Sequence, residues 1–280
     1  MPPDPASIRR LVLLGHPVAH SLSPAFQNAA LRAAGLAPTY AALDVAPAAL
    51  GETLARLVAE GAAGNATIPH KEAVAARCDV RSAVAERVGA VNTWWRAPDG
   101  ALVGDNTDVA GVAAAVAERL GRAPDAPVVA LLGAGGSAGA VLAAAERWPG
   151  ARVRVWSRTA DRARALAERF GAEVAASPAQ AVRGASLVVN ATPLGLRDDD
   201  PFPVAAASLE SDAAVLDLVY RRGETAWVRA ARALARPAAD GLTMLIAQGA
   251  AAFTRWFGVP PDLDAMWGAV GGRPGAPRGR

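Results

Sequence analysis

The sequence predicts an α/β fold on largely parallel strands, divided between two domains, and three observations predict it. Short apolar runs alternate with amphipathic stretches almost throughout, the pattern of sheet strands separated by covering helices. A length of 280 residues exceeds the roughly 100–200 residues of a typical single domain. From residue 128 the alternation becomes a regular strand-then-helix rhythm, opened by a run of glycines.

In the first part, strands are read at 11–14, 40–45, 63–67, 90–95 and 101–103, with helices in most of the gaps. Pro24 suits the first turn of a helix capped by Ser23, and Pro47 opens a helix that carries Leu50, Leu54, Leu57 and Val58 on one face. A proline- and glycine-containing stretch at 121–127 separates the second rhythm. Its strands are read at 128–132, 152–156, 186–190 and 214–218, and its helices at 136–147, 160–170 and 225–235. The apolar segment 242–257 makes little sense as a further layer of that unit. It is assigned as a C-terminal helix returning to the first domain. The expected division is therefore a discontinuous substrate-binding domain, 1–107 with 240–280, and a Rossmann-like nucleotide-binding domain, 108–239.

Composition removes several classes of function. With 52% hydrophobic and 20% charged residues the chain can bury a large core. Cys78 is the only cysteine, so no intramolecular disulfide is available and a reducing cytoplasm is expected. His16, His20 and His70 have no partner at a metal-binding spacing, and no metal is expected. The N-terminus lacks the basic start and apolar stretch of a signal peptide. The uncharged run at 128–145 invites a membrane reading, but Gly133, Gly135, Gly136, Ser137 and Gly139 interrupt it, and strand, turn and helix explain it better. The sequence pI is 9.7, yet the net charge is only +3 and the arginines are scattered among acids, so no nucleic-acid partner is expected. The tail at 271–280 reads as disordered.

After the strand at 128–132 comes Gly133-Ala134-Gly135-Gly136-Ser137-Ala138, a G-x-G-x-x-A run opening into a helix. Small residues permit a tight turn and let backbone N–H groups approach a pyrophosphate at the helix N-terminus. The flanking strand and helix separate this run from a purely structural glycine turn. Where an acidic residue would accept hydrogen bonds from the ribose of NAD, the chain has Ser157-Arg158-Thr159, with Arg162 close behind. A guanidinium and hydroxyls suit a 2′-phosphate, so the expected cofactor is NADP.

Lys71 is the only lysine among 29 basic residues. An ammonium can be tuned to release its proton near neutral pH, whereas a guanidinium cannot. A chain rich in alanine and arginine could also retain one lysine by chance, and the setting argues otherwise. Polar patches surround it in the sequence: Ser21 with Ser23, Asn65 with Thr67, Asn92 with Thr93, the 105–108 run, and Gln248. All but Gln248 fall where a strand ends or a helix begins. Taken singly, each has a structural reading as a cap, a turn or the polar side of a core helix. Together they suit a polyol carboxylate that needs oriented donors and acceptors.

Six strings, Gly15-His-Pro-Val-Ala-His-Ser-Leu-Ser-Pro24, Asn65-Ala-Thr-Ile-Pro-His-Lys71, Gly89-Ala-Val-Asn-Thr93, Gly104-Asp-Asn-Thr-Asp108, Asn190-Ala-Thr192 and Gly241-Leu-Thr-Met-Leu-Ile-Ala-Gln248, resemble the shikimate dehydrogenase family in order and across almost the whole chain. The resemblance implies reversible NADPH-dependent reduction of 3-dehydroshikimate to shikimate, on the route to chorismate and the aromatic amino acids, by a homodimer. It makes Lys71 and Asp108 the catalytic pair. It implies that Ser21 and Ser23 hold the substrate carboxylate, that Asn65, Thr67, Asn92 and Gln248 surround the ring hydroxyls, and that Tyr220 adds a further substrate contact. The match extends to Gly133 through Ser137 as pyrophosphate loop, to Ser157, Arg158, Thr159 and Arg162 at the ribose phosphate, and to Leu218 and Gly241 around the nicotinamide.

Gln27, Ser157 and Pro193 depart from the family's usual His, Asn and Ser, while Val109 and Thr243 stand where glycines are frequent. Two alternatives remain at this level. One is an NAD-preferring quinate/shikimate dehydrogenase, against which Arg158 counts. The other is a non-catalytic NADPH-responsive binding protein, against which the retention of Lys71 and Asp108 counts.

Overall fold

The structure is a computed structural model that describes residues 2–120, 126–197, 199–221 and 223–273. Most of the tail expected at 271–280 and of the linker expected at 121–127 lies outside those residues. The chain divides into two compact units, Met1–Thr107 with Gln248–Arg280, and Asp108–Ala247, and each carries a six-stranded sheet.

The first unit begins with β1 (Arg10–Gly15), α1 (Ser23–Ala33), β2 (Tyr40–Asp44), α2 (Leu50–Ala59), β3 (Ala62–Ala66) and α3 (Lys71–Ala75). It continues with β4 (Val80–Arg81), α4 (Ala83–Val88), β5 (Thr93–Arg96) and β6 (Leu102–Asp105). The sheet order is β2-β1-β3-β5-β6-β4. Pro47 opens a short 3-10 turn, Pro47–Ala49, that runs directly into α2. Leu50, Leu54 and Leu57 line one face of that helix and pack with Val12, Leu14, Val74 and Trp94. Trp94 and Trp95 are both core residues.

Three sequence expectations need correction here. The strand read at 90–95 begins only at Thr93, because Asn92 turns its backbone to Asp105 and Ala66 instead of continuing the ladder. That strand pairs antiparallel with both β3 and β6, a direction that apolar runs do not encode. Ser23 is not the cap of α1 but its first helical residue. Leu22 stands at the cap position without a side-chain bond, and the Ser21 hydroxyl accepts from the Ser23 N–H at 3.2 Å.

The second unit holds α5 (Asp108–Leu120), β7 (Val128–Leu132), α6 (Gly136–Ala145), β8 (Arg152–Trp156), α7 (Ala160–Phe170), β9 (Glu173–Val174) and α8 (Pro178–Val182). β10 (Leu187–Asn190), β11 (Ala214–Asp217), α9 (Ala226–Ala233) and β12 (Ala238–Ala239) follow. All its strand pairs are parallel, in the order β9-β8-β7-β10-β11-β12. Numbered by appearance within the unit this is 3-2-1-4-5-6, the order of a doubly wound dinucleotide fold, with its switch point between β7 and β10.

Every residue of α6 from Ala138 to Ala145 is buried, so this helix is apolar all round. Among the described residues no helix is long and apolar enough to cross a membrane. Two further helices follow among the described residues, α10 (Leu242–Phe257) and α11 (Leu263–Gly268). From Gln248 onward α10 belongs to the first unit, where Gln27 Nε2 donates to Gly249 O at 2.9 Å and Arg255 pairs with Asp105 at 2.7 Å.

Candidate active site

In the first unit, sheet register brings the polar residues together. Parallel β1 and β3 end on the same edge, and antiparallel β5 begins there, with Asn65 opposite Thr93 and Thr93 opposite Asp105. Residues separated by dozens of positions thus form one row across three strands. Asn65 Nδ2 donates to Asn92 O at 2.9 Å and to Thr93 Oγ1 at 3.0 Å. Asn92 Oδ1 accepts from the Thr107 N–H at 2.7 Å, while its Nδ2 donates to Gln248 Oε1 at 3.2 Å. The row is nearly sealed from solvent: Asn65 is 5% exposed, Asn92 2% and Thr93 0%. Buried amides and hydroxyls need partners, and these supply one another.

Asp105, also buried, has its charge met by Arg255, the Ser82 hydroxyl and the Asn106 N–H. It anchors the run that leads to Thr107.

Lys71 is the first residue of α3 and is half-buried. Its backbone carbonyl accepts from Val91 N–H at 3.0 Å. The preceding His70 is buried and places Nε2 2.7 Å from Val45 O, so that ring nitrogen carries the hydrogen and donates. The start of α3 is therefore pinned to the end of β2 and to the strand-entry turn at Asn92. Thr67 lies just before this start, its N–H bonded to Leu14 O at 2.8 Å. Ser21 and Ser23 occupy the turn into α1, with Ser23 5% exposed.

In the second unit, Asp108 is 3% exposed and opens α5, where the positive end of the helix favours a carboxylate. Gly133 follows β7 with φ +119°, and a side chain there would lie 2.7 Å from the backbone of Ala191. The loops after β7 and β10 consequently touch as bare backbone at the switch point. Gly136 and Ser137 begin α6 directly afterwards, behind Ala134 and Gly135, so N–H groups of the loop and the helix start stand together. This cradle fits a pyrophosphate.

Arg158 and Arg162 are exposed at the end of β8 and in the first turn of α7, and the Ser157 hydroxyl holds the Thr159 N–H at 3.2 Å. Two guanidiniums with no acid at the strand end suit a phosphate-bearing ribose. Leu218 and Gly241 come into contact, since a Cβ on Gly241 would sit 2.3 Å from Leu218 O. Tyr220 lies just beyond β11, half-buried.

Residues outside the expected set support these loops. Asp217 closes β11 fully buried, its Oδ1 accepting from Asn190 Nδ2 at 2.8 Å and Val219 N–H at 3.1 Å, its Oδ2 from the Thr225 hydroxyl at 2.7 Å. Burial pushes this carboxyl up to about 6 against the pull of those three donors, and nearby Asp240 adds to the rise. In the first unit the missed residue is Tyr40, whose hydroxyl donates to Asn65 Oδ1 at 2.7 Å. The chain has only two tyrosines, and one at the start of a core strand must find a partner for its hydroxyl. That was the available signal.

Comparison with known proteins follows the same division. Residues 13–94 match the family described as shikimate dehydrogenase substrate binding domain, and 241–270 match the shikimate 5′-dehydrogenase C-terminal domain. Residues 128–199 match the family described as NADP oxidoreductase, coenzyme F420-dependent. The shikimate dehydrogenase (NADP(+)) of Rubrobacter xylanophilus is 44% identical, with 93% of this chain and 94% of that protein covered. The structure of shikimate 5-dehydrogenase from Thermus thermophilus in complex with NADP(H) and shikimate aligns with a TM-score of 0.83 at 41% identity, over 94% of this chain and 98% of that one. Quinate dehydrogenase from Corynebacterium glutamicum in complex with NAD aligns with the same TM-score at 32% identity, over 94% and 98%. With two segments matching shikimate dehydrogenase domains and a relative this similar along nearly its whole length, the chain belongs to the shikimate dehydrogenase family.

Proposed function

We propose that this chain catalyses the reversible NADPH-dependent reduction of 3-dehydroshikimate to shikimate, in the biosynthesis of chorismate and the aromatic amino acids. The observation that carries the reading is the buried row Asn65, Thr93, Asn92 and Gln248 in the unit that also holds the only lysine. Such a row suits a ring bearing several hydroxyls better than an apolar or a multiply charged ligand.

The first unit is the substrate-binding domain and the second the NADP-binding domain. Ser21 and Ser23 hold the carboxylate, Asn65, Thr67, Asn92 and Gln248 surround the ring hydroxyls, and Tyr220 makes a further substrate contact. Residues 133–137 cradle the pyrophosphate, Ser157, Arg158, Thr159 and Arg162 take the ribose phosphate, and Leu218 and Gly241 border the nicotinamide. When bound, the cofactor supplies the hydride. Lys71 gives a proton to the ketone oxygen as negative charge grows there, and its ammonium lowers the energy of that charge. In the reverse direction the same amine removes the alcohol proton, and Asp108 orients it and a ring hydroxyl.

By family resemblance the enzyme acts as a homodimer, for which mass measurement in solution is the check. A cytoplasmic location suits Cys78, whose thiol burial pushes up to about 12, out of the range of ready oxidation.

Purified protein mixed with shikimate and NADP or NAD, then with quinate and each, separates the alternatives by nicotinamide absorbance. The expected result is rapid reduction of NADP with shikimate. Faster reduction of NAD with quinate supports the quinate dehydrogenase reading, and no reduction in any mixture removes the enzymatic one.

A further inference from the structure

Asn65 sits in the middle of the substrate-binding row, yet its amide is already committed within the protein. The atom facing the Asn92 carbonyl must be Nδ2, because a carbonyl can only accept. Both Nδ2 hydrogens are then used, one on Asn92 O and one on Thr93 Oγ1. The opposite end, Oδ1, takes the Tyr40 hydroxyl, which must donate. No hydrogen on this side chain is left to give to a substrate hydroxyl, so toward substrate it could only accept through the second lone pair of Oδ1, and Tyr40 is itself only 3% exposed.

The direction of the bonds propagates. Thr93 Oγ1 receives a hydrogen from Asn65, so its own goes onward, to Asn92 Oδ1 at 3.1 Å or Thr107 Oγ1 at 3.0 Å. Asn92 Oδ1 also receives the Thr107 N–H, which fixes that amide the same way round and turns its Nδ2 to Gln248 Oε1. Gln248 thus presents its carbonyl end to Asn92 and its amino end elsewhere. Hydrogen-bond polarity runs one way, from Tyr40 through Asn65 and Thr93 to Asn92 and Gln248.

We propose that Tyr40, Asn65 and Thr93 are positioning residues that brace the Asn92 amide in the orientation its Thr107 N–H contact sets, and through it Gln248, and that Asn65 gives no hydrogen to substrate. The proposal rests on the shikimate reading above and narrows the part Asn65 plays in it.

The test compares wild type with Asn65→Leu and Thr93→Val, each close to the original in shape, and with Tyr40→Phe, which keeps the ring packed near Trp256. KM is measured for shikimate and for NADP, each variant being made both alone and in the Asn92→Ala background. For Asn65→Leu and Thr93→Val, KM for shikimate should rise about tenfold with KM for NADP unchanged, the size expected from misdirecting one or two hydrogen bonds. The factor should vanish in the Asn92→Ala background, because a positioning residue acts only through that amide. A penalty that persists undiminished in that background means direct contact and overturns the proposal. So does an unchanged shikimate KM in folded Thr93→Val and Tyr40→Phe, which carry the test if Asn65→Leu fails to fold. A wild type that does not turn over shikimate overturns the functional reading itself, and is seen before any variant is made.

Discussion

Asp217 couples the cofactor-side loops to proton concentration. Its carboxyl is lifted from an ordinary value of 3.8 to about 6, mainly by burial, so between those values the folded chain binds a proton that the unfolded chain releases. Folding is therefore favoured as pH falls: the contribution is complete below about pH 4 and is lost as pH rises through about 6. A shift of this size corresponds to about 3 kcal/mol. Asp217→Asn can keep the same partners, its oxygen facing Asn190 and Val219 N–H and its nitrogen facing the Thr225 hydroxyl. The variant should match wild type near pH 4 in urea unfolding and exceed it by up to about 3 kcal/mol at pH 8. A difference that stays flat with pH would show that Asp217 is not the titrating group.

At the scale of elements, α9 ends in a way its sequence does not favour. Arg236 N–H bonds to Ala231 O and Ala235 N–H to Arg232 O, the paired bonds of a Schellman ending, which puts Ala235 at φ +59°. Glycine adopts that conformation without the Cβ penalty, so Ala235→Gly should stabilise the protein by about 1 kcal/mol, read as a rise in Tm. A lower Tm would mean that the alanine methyl packs more than the strain costs.

Elements also differ in how far sequence reveals them. Strands β7 and β8 and helix α7 are legible to the residue, since each is an unbroken apolar or periodic segment closed by glycine or a polar turn. The strands β4, β9 and β12, two residues each, carry no period and exist only because a neighbouring edge was open to pairing. Ser23 misleads because serine caps helices so often, whereas here Ser21 takes the role of hydroxyl acceptor just ahead of the helix.

For the molecule as a whole, the two-sheet architecture follows from alternation and from the glycine run, while the direction of β5 does not, being decided by tertiary pairing. That direction matters most for function. By running antiparallel, β5 delivers Asn92 and Thr93 to the edge where β3 ends, and the polar row exists because of it. The candidate residues were visible as scattered polar patches, but their hydrogen-bond order, and the part of Tyr40 in it, emerges only from register. Lys71 stands apart from this, because its meaning lies in being the one amine among guanidiniums.

Steady-state kinetics of Lys71→Arg and Lys71→Ala with shikimate and NADP, on proteins shown to be folded, tests that meaning directly. Both variants should lose at least about a hundredfold in kcat while KM for shikimate changes far less, since neither side chain can pass the proton in the transition state. An arginine variant that turns over at close to the wild-type rate would contradict the role of Lys71 as the proton donor.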